Sequence, residues 1–554
     1  MIVKSKRRIA IVAVVAVVVL LLPFIVNAAM LLINSFRYSE SSIRPSEPNA
    51  VSGTSIDDFY RQTINWGDCS TQQISDGSSV PPSDPQNYQC ATLYAPLDWD
   101  EPSGEQITLS IAVHRSGVED APALFYNLGG PGGAAVSSLV GQVDDGLGDA
   151  VVKMYDIVAL DPRGVGASSP AICMTDAQRD AYATDGTLGE GGTAGDGGTA
   201  GGGVSGRDMD PAEIIAQAEE LSAKIAEGCQ QLSGNVYKHI DTVSVAKDFD
   251  MVRAILGQEK LNYLGYSYGT FVGALYADMF ADKVGRFVLD GAIDPAMDIN
   301  QVSDLQMKGF EASAHHWLEE CVAGKNCPFS GSVDDAVADL VAFLDAVADQ
   351  PLETSDPHRP LTRNLAVTGI ITGLYSSDSY SVLTGAVRQA VEDSDGSQLL
   401  YIADLSSERQ DDGTFASNSM DALIAVNNAD YEPVGTPEEW AQTAEKLADT
   451  LPIFGTDAGY ASAGLSAWPT DHAARRPVSA KGAQPIVVVG TTHDPATPYV
   501  MAQNLASQLE SGVLVSVEGW SHTAYSKKAS RCVVDAVEGY LVDGTVPANG
   551  LSCS

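Results

Sequence analysis

Apolar residues in this chain fall into short unbroken runs separated by longer stretches of helical period. The runs at 123–127, 157–161, 261–266, 287–290, 486–490 and 513–517 are four to six residues long and rich in Val, Ile, Leu and Phe. Runs that short suit strands better than helices, and their continuity predicts burial on both faces. Residues 243–256 and 270–280 instead space apolar side chains three and four apart, which predicts amphipathic helices. Strand and helix alternating in this way predict an α/β fold, a mostly parallel central sheet flanked by helices. The block 305–451 departs from the alternation. It reads as mostly helical, for example at 333–348 and 437–451, with few strand runs. A helical block between two strands predicts an inserted cap, bounded here as 297–480, between core segments 61–296 and 481–554.

The first 34 residues have another pattern. Lys4, Lys6, Arg7 and Arg8 precede the 18 uncharged residues 9–26, interrupted only by Pro23, and apolar character resumes after Asn27 as far as Ile33. Basic then apolar marks a signal peptide or a signal anchor. The run of 18 residues exceeds the roughly 7–15 of a cleaved signal and approaches the ~20 that span a bilayer. The preferred reading is an uncleaved single-pass anchor, basic end cytoplasmic, with the rest of the chain extracellular. Val26-Asn27-Ala28 supplies a small-x-Ala site for the alternative, cleavage and secretion. Residues 35–60, rich in Ser, Pro, Glu and Asp, predict a flexible stalk. Residues 184–206, dominated by Gly, Thr, Ala and Asp, predict a mobile surface insertion.

Composition narrows the partners. Thirty-two basic against 72 acidic residues give a net charge of −40. That field repels phosphate backbones and anionic headgroups, so nucleic acid is not expected as a partner and membrane contact is confined to the N-terminal segment. Eight cysteines in an exported chain point to disulfides, with 105 possible connectivities. Nearest-neighbour closure would pair Cys69 with Cys90, Cys173 with Cys229, Cys321 with Cys327 and Cys532 with Cys553. No CxxC or His-x₃-His spacing supports a metal, and no phosphate-loop motif supports a nucleotide, so no metal or cofactor is expected.

The chemistry begins at Gly265-Tyr266-Ser267-Tyr268-Gly269, where a strand-like run meets a helix pattern. A sharp strand-to-helix turn presents the Ser267 hydroxyl at the strand's carboxyl end, and flanking glycines remove side chains that would clash there. In a chain with 52 Gly the pentapeptide alone is near chance level, so its context carries the weight. A second glycine-rich segment, Asn127-Leu128-Gly129-Gly130-Pro131-Gly132-Gly133, follows the strand at 123–127. Acyl transfer needs two N–H donors aimed at the developing oxyanion. One is expected from Tyr268, the residue after the nucleophile, and the other from this loop at Gly130.

Two further strand ends complete the set. Asp494 follows the strand at 486–490, and His522 follows the strand at 513–517 through Gly519-Trp520-Ser521. The order Ser267, Asp494, His522 is that of an α/β-hydrolase, in which the serine attacks, the histidine carries its proton and the aspartate orients the histidine. His493 is the rival base. Neighbours at a strand end point to different faces, which argues against its pairing with Asp494.

At these residues the sequence resembles the secreted bacterial tripeptidyl aminopeptidases and related proline iminopeptidases. The matching pieces are 127–133, Asp161-Pro162-Arg163-Gly164-Val165-Gly166, 264–270, Val288-Leu289-Asp290-Gly291-Ala292, 490–498 and 519–522, in order from about Trp66 to the end. The resemblance implies an exopeptidase that releases short peptides from free N-termini, under a cap that shapes the cleft. Leu128, Ala134 and Ala135 depart from the usual loop, where Pro precedes the first Gly and Ser-Gly closes it.

An aminopeptidase must hold a protonated amine at a fixed distance from Ser267, and a buried carboxylate does this well. Glu319 and Glu320, beside Trp317 and Cys321, are the candidates, although a solvated helix face is the preferred reading of this stretch. A carboxylesterase or lipase on the same fold is the runner-up, and a non-catalytic surface binding protein the remaining alternative.

Overall fold

The computed structural model describes residues 51, 55–69, 84–189, 210–472 and 475–554. Its described strands form one sheet: β1 (Gly67–Asp68), β2 (Tyr88–Pro96), β3 (Gln106–His114), β4 (Ala123–Asn127), β5 (Asp156–Leu160), β6 (Leu261–Tyr266), β7 (Val284–Asp290), β8 (Ile486–Thr491), β9 (Gly512–Val517) and β10 (Leu551–Cys553), in the order β1-β2-β3-β5-β4-β6-β7-β8-β9-β10. The pairings from β5 through β4 to β10 are parallel. Those of β1, β2 and β3 are antiparallel.

The parallel strands bury both faces, which is why they read as continuous apolar runs. Phe125, Leu289 and Val488 face one core cluster, while their neighbours Leu124, Val288 and Val487 face the other. β2 alternates fully and partly buried positions, so the same criterion misses it. Beyond β5, Arg163 is fully buried and forks onto Asp248 with two 2.7 Å bonds, while also donating to Pro96, Leu97 and His239 carbonyls.

Between β7 and β8 the chain forms the helices Ile299–Ala323, Val333–Asp349, Arg363–Leu374, Tyr380–Glu392, Ser397–Ser407, Ser419–Asp430 and Pro437–Thr450. Three begin with capping boxes legible in the sequence: Asp298 with Gln301, Ser332 with Asp335, and Thr436 with Glu439. Most share an apolar core of their own around Trp317, Leu340, Leu365, Leu383 and Leu399. The helix Ser419–Asp430 is different. Its Ala425, Val426 and Ala429 pack into the core of the sheet domain, so the insertion is not a uniform layer.

The end of the expected stalk is also structured. Ser55 begins the helix Ile56–Tyr60, Phe59 is fully buried in the main core, and Tyr60 donates to Asp250 at 3.0 Å. Two aromatics in a polar stretch dock it, a signal that composition averages away. The expected Gly-rich insertion likewise starts late. Thr184 and Asp185 close the helix Asp176–Asp185, and Gly186 caps it at φ 75°. Residues 190–206, and the anchor expected over 1–34, lie outside the described residues. Among the described residues no helix is long and apolar enough to cross a membrane.

All eight cysteines are bonded in the four nearest-neighbour pairs. Four disulfides belong to an oxidising, extracellular compartment.

Candidate active site

β6 runs straight into Ser267, which holds φ 53° and ψ −124° before the helix Tyr268–Met279 begins. Non-glycine residues avoid this region, so the turn stores strain that its surroundings must fix. They do so from three sides. The Ser267 N–H donates to the Asp290 carbonyl at 2.9 Å. Thr270 donates its hydroxyl to the Ser267 carbonyl at 2.6 Å and accepts the Ile293 N–H at 2.9 Å. The flanking glycines are steric necessities: a Cβ on Gly265 would lie 2.6 Å from the Gly269 carbonyl, and one on Gly269 would lie 2.6 Å from the Asn127 carbonyl.

The glycine loop lies directly against this turn. A Cβ on Gly129 would sit 2.5 Å from the Tyr266 carbonyl and 3.0 Å from both Ser267 Cβ and Tyr268 N. The Gly129 N–H is committed to Asn127 Oδ1 at 2.8 Å. Gly130 follows at φ 107°, next to the turn and ahead of Pro131, whose nitrogen carries no proton. Asp161 holds the far end of the loop, accepting the Val136 N–H at 2.8 Å. Burial pushes its carboxyl up to about 6. Tyr268 is the first residue of its helix, so its N–H has no partner within that helix. Its ring is anchored behind the site, with its hydroxyl 2.5 Å from Thr242 Oγ1, which in turn donates to the buried Asp430.

Asp494 is buried just beyond β8 and is surrounded by donors. Its Oδ1 accepts the N–H groups of Ala496 and Thr497 at 2.9 and 2.8 Å. Its Oδ2 accepts the Thr497 hydroxyl and the Thr523 N–H, both at 3.1 Å. His522 Nδ1 lies 2.9 and 3.0 Å from the two oxygens. Donation from Nδ1 leaves the lone pair of the neutral ring on Nε2. The cap supports this loop from outside: His522 N–H donates to the Tyr375 carbonyl at 2.7 Å, Ser377 N–H donates to the Trp520 carbonyl at 3.0 Å, and the Tyr375 ring meets the His522 ring edge-on.

The other candidates fall elsewhere. His493 stacks on Trp520 at 3.9 Å and pairs with Glu518 at 3.6 Å, away from Asp494. Glu319 and Glu320 have side chains 72% and 55% exposed, within 3.8 and 3.4 Å of His316. They do not meet the requirement of burial that made them candidates, because water screens a carboxylate at such a position. The helix Ile299–Ala323 does bury an acid, Glu311, but its oxygens accept the Ile453 and Phe454 N–H groups inside the cap. Asp290 and Thr497, both within the segments that carry the family resemblance, were not singled out in the sequence. Among the described residues no cluster of three or more His, Cys, Asp or Glu could hold a metal.

A strained serine turn, an abutting glycine loop and a histidine bonded to a buried aspartate are the parts that acyl transfer uses. Comparisons with known proteins agree. The profile described as "alpha/beta hydrolase fold" matches residues 122–339, and that described as "TAP-like protein" matches 451–553. The chain is 32% identical to the serine protease Hip1 of Mycobacterium tuberculosis over 537 residues, covering 95% of both chains. The chain belongs to the α/β-hydrolase family and is a serine hydrolase. This hydrolase is also 35% identical to carboxylesterase B of Mycobacterium tuberculosis over 496 residues, covering 88% of this chain and 90% of that one. It is 27% identical to the tripeptidyl aminopeptidase of Streptomyces lividans over 504 residues, covering 89% and 87%. The first profile spans Ser267 and the glycine loop, and the second spans Asp494 and His522.

Proposed function

We propose that this hydrolase is an aminopeptidase that releases short peptides from free N-termini through an acyl-enzyme on Ser267. His522 takes the serine proton and returns it to the leaving amine, while Asp494 holds the ring in the productive tautomer. The N–H groups of Tyr268 and Gly130 receive the oxyanion. The observation that carries the mechanism is the bond between His522 Nδ1 and Asp494, from two loops at adjacent strand ends. The TAP-like profile and the resemblance to tripeptidyl aminopeptidases support the peptide substrate. The 35% identical carboxylesterase B supports a second reading, ester hydrolysis by the same residues.

The purified protein should be offered peptides with free N-termini, the same peptides acetylated, and short-chain esters. The expected result is release of short peptides from the free series only. Hydrolysis of esters with neither peptide series touched would move the assignment to esterase.

We further propose that the segment 1–34 anchors the enzyme with its catalytic domain outside the cell. The full chain should then stay in the membrane pellet through a high-pH wash. Quantitative recovery in the medium, starting after Ala28, would establish secretion instead.

A further inference from the structure

Asp290 ends β7 fully buried, and among the described residues no basic side chain forms an ion pair with it. Burial pushes its carboxyl up to about 6, so keeping it there costs free energy. The hydrogen bonds it makes lie on both sides of the active site. Its main-chain carbonyl accepts the Ser267 N–H at 2.9 Å. Its carboxylate accepts the Ala524 N–H at 3.0 Å on each oxygen and the Tyr525 N–H at 2.7 Å on Oδ2. The next residue, Gly291, adopts φ 66°, and a Cβ there would lie 3.2 Å from His522 Cε1. One residue therefore touches the backbone of the nucleophile turn and the backbone of the loop that carries the base.

We propose that Asp290 is a positioning residue that sets the distance between Ser267 and His522, holding the nucleophile through its carbonyl and the base loop through its ionised carboxylate. The inference rests on the assignment of Ser267 and His522 as nucleophile and base. Asp494 controls which way the imidazole ring faces, and Asp290 controls where the loop bearing that ring stands. The charge is necessary because both carboxylate oxygens receive N–H donors. A proton on either oxygen, or an amide in its place, sets a donor against a donor. The titratable groups facing Asp290 are Asp494 beyond β8, His522 and Tyr525 on the base loop, and Tyr266 on β6.

The test is Asp290→Asn in the full-length enzyme, with Ser267→Ala and His522→Ala in the same assay. A displacement of about 1 Å between reacting groups costs on the order of 10²-fold. Asp290→Asn should therefore lower kcat by about that factor while KM and Tm stay near those of the parent, a split that a general loss of folding would not give. Below about pH 6, log kcat/KM should fall more steeply in the parent enzyme than in the variant, because Asp290 takes up a proton there. A variant with unchanged kcat, or one whose loss matches a loss of folded protein, overturns the proposal. If the asparagine variant does not fold, Asp290→Glu, which keeps the charge and lengthens the arm by one methylene, replaces it, and a kcat equal to that of the parent overturns the proposal. Full activity in His522→Ala would sink the base assignment itself, a different outcome from a dead His522→Ala beside a fully active Asp290→Asn.

Discussion

Replacing Ser267 by alanine should lower kcat by about 10⁶-fold and leave KM nearly unchanged. Alanine keeps the Cβ and meets the same strain at φ 53°, so the turn and its bonds to Asp290 and Thr270 are retained. Only the hydroxyl is lost, and with it the covalent route. Backbone donors at Tyr268 and in the glycine loop remain, so a residual advantage over water of about 10³–10⁴-fold is expected. His522→Ala should fall nearly as far, since an unactivated serine is a weak nucleophile. His493→Ala should not, because that ring stacks on Trp520 rather than on the buried aspartate. Steady-state kinetics on a cleaved peptide, with thermal melting to show an intact fold, checks all three. A Ser267→Ala enzyme within a hundredfold of the parent would end the acyl-enzyme reading.

The parts legible in the sequence share one physical property, that their signal is local. β4 and β6 have the same bounds in the structure as in their apolar runs, because strands buried on both faces need no alternation. The Gly265–Gly269 turn declares itself because backbone passes within van der Waals contact on both sides. The cysteines pair with their sequence neighbours, so the simplest closure is the one formed. What was missed depends on contacts between distant segments. The hairpin of β2 and β3 lies at the antiparallel side of the sheet and mixes partly exposed positions into its runs. Asp290 is an acid at a strand end like many others, until the base loop returns 234 positions later to donate to it. Glu319 and Glu320 lie on the solvated helix face that is the preferred reading of their stretch. Sequence proximity to Trp317 and Cys321 made them candidates, but Trp317 is buried in the cap core while the two acids face water.

Asp494→Asn should cost about 10⁴-fold in kcat, a loss of different origin from that of Ser267→Ala. An asparagine fills the same volume and offers one acceptor oxygen in place of two. In the parent, Oδ1 accepts from Ala496 and Thr497, and Oδ2 accepts from Thr497 and Thr523, with His522 Nδ1 near both. Four local donors leave an amide no orientation free of conflict, and the orientation that aims its NH₂ at Nδ1 forces that nitrogen to accept. The imidazole proton then moves to Nε2, the atom that must be free to take the proton of Ser267, and the base is disabled with every side chain still in place. KM should stay within a fewfold of the parent, because binding precedes this proton transfer. The variant also separates the two buried acids. Asp494→Asn acts on which ring nitrogen carries the proton and should leave a serine that a reactive phosphonate still labels slowly. Asp290→Asn acts on distance and should leave the tautomer, and with it the Nδ1 proton resonance on Asp494, as in the parent. A kcat for Asp494→Asn within tenfold of the parent would mean that another group orients His522. Thr497, whose hydroxyl lies 3.3 Å from the same ring nitrogen, would be the first to examine.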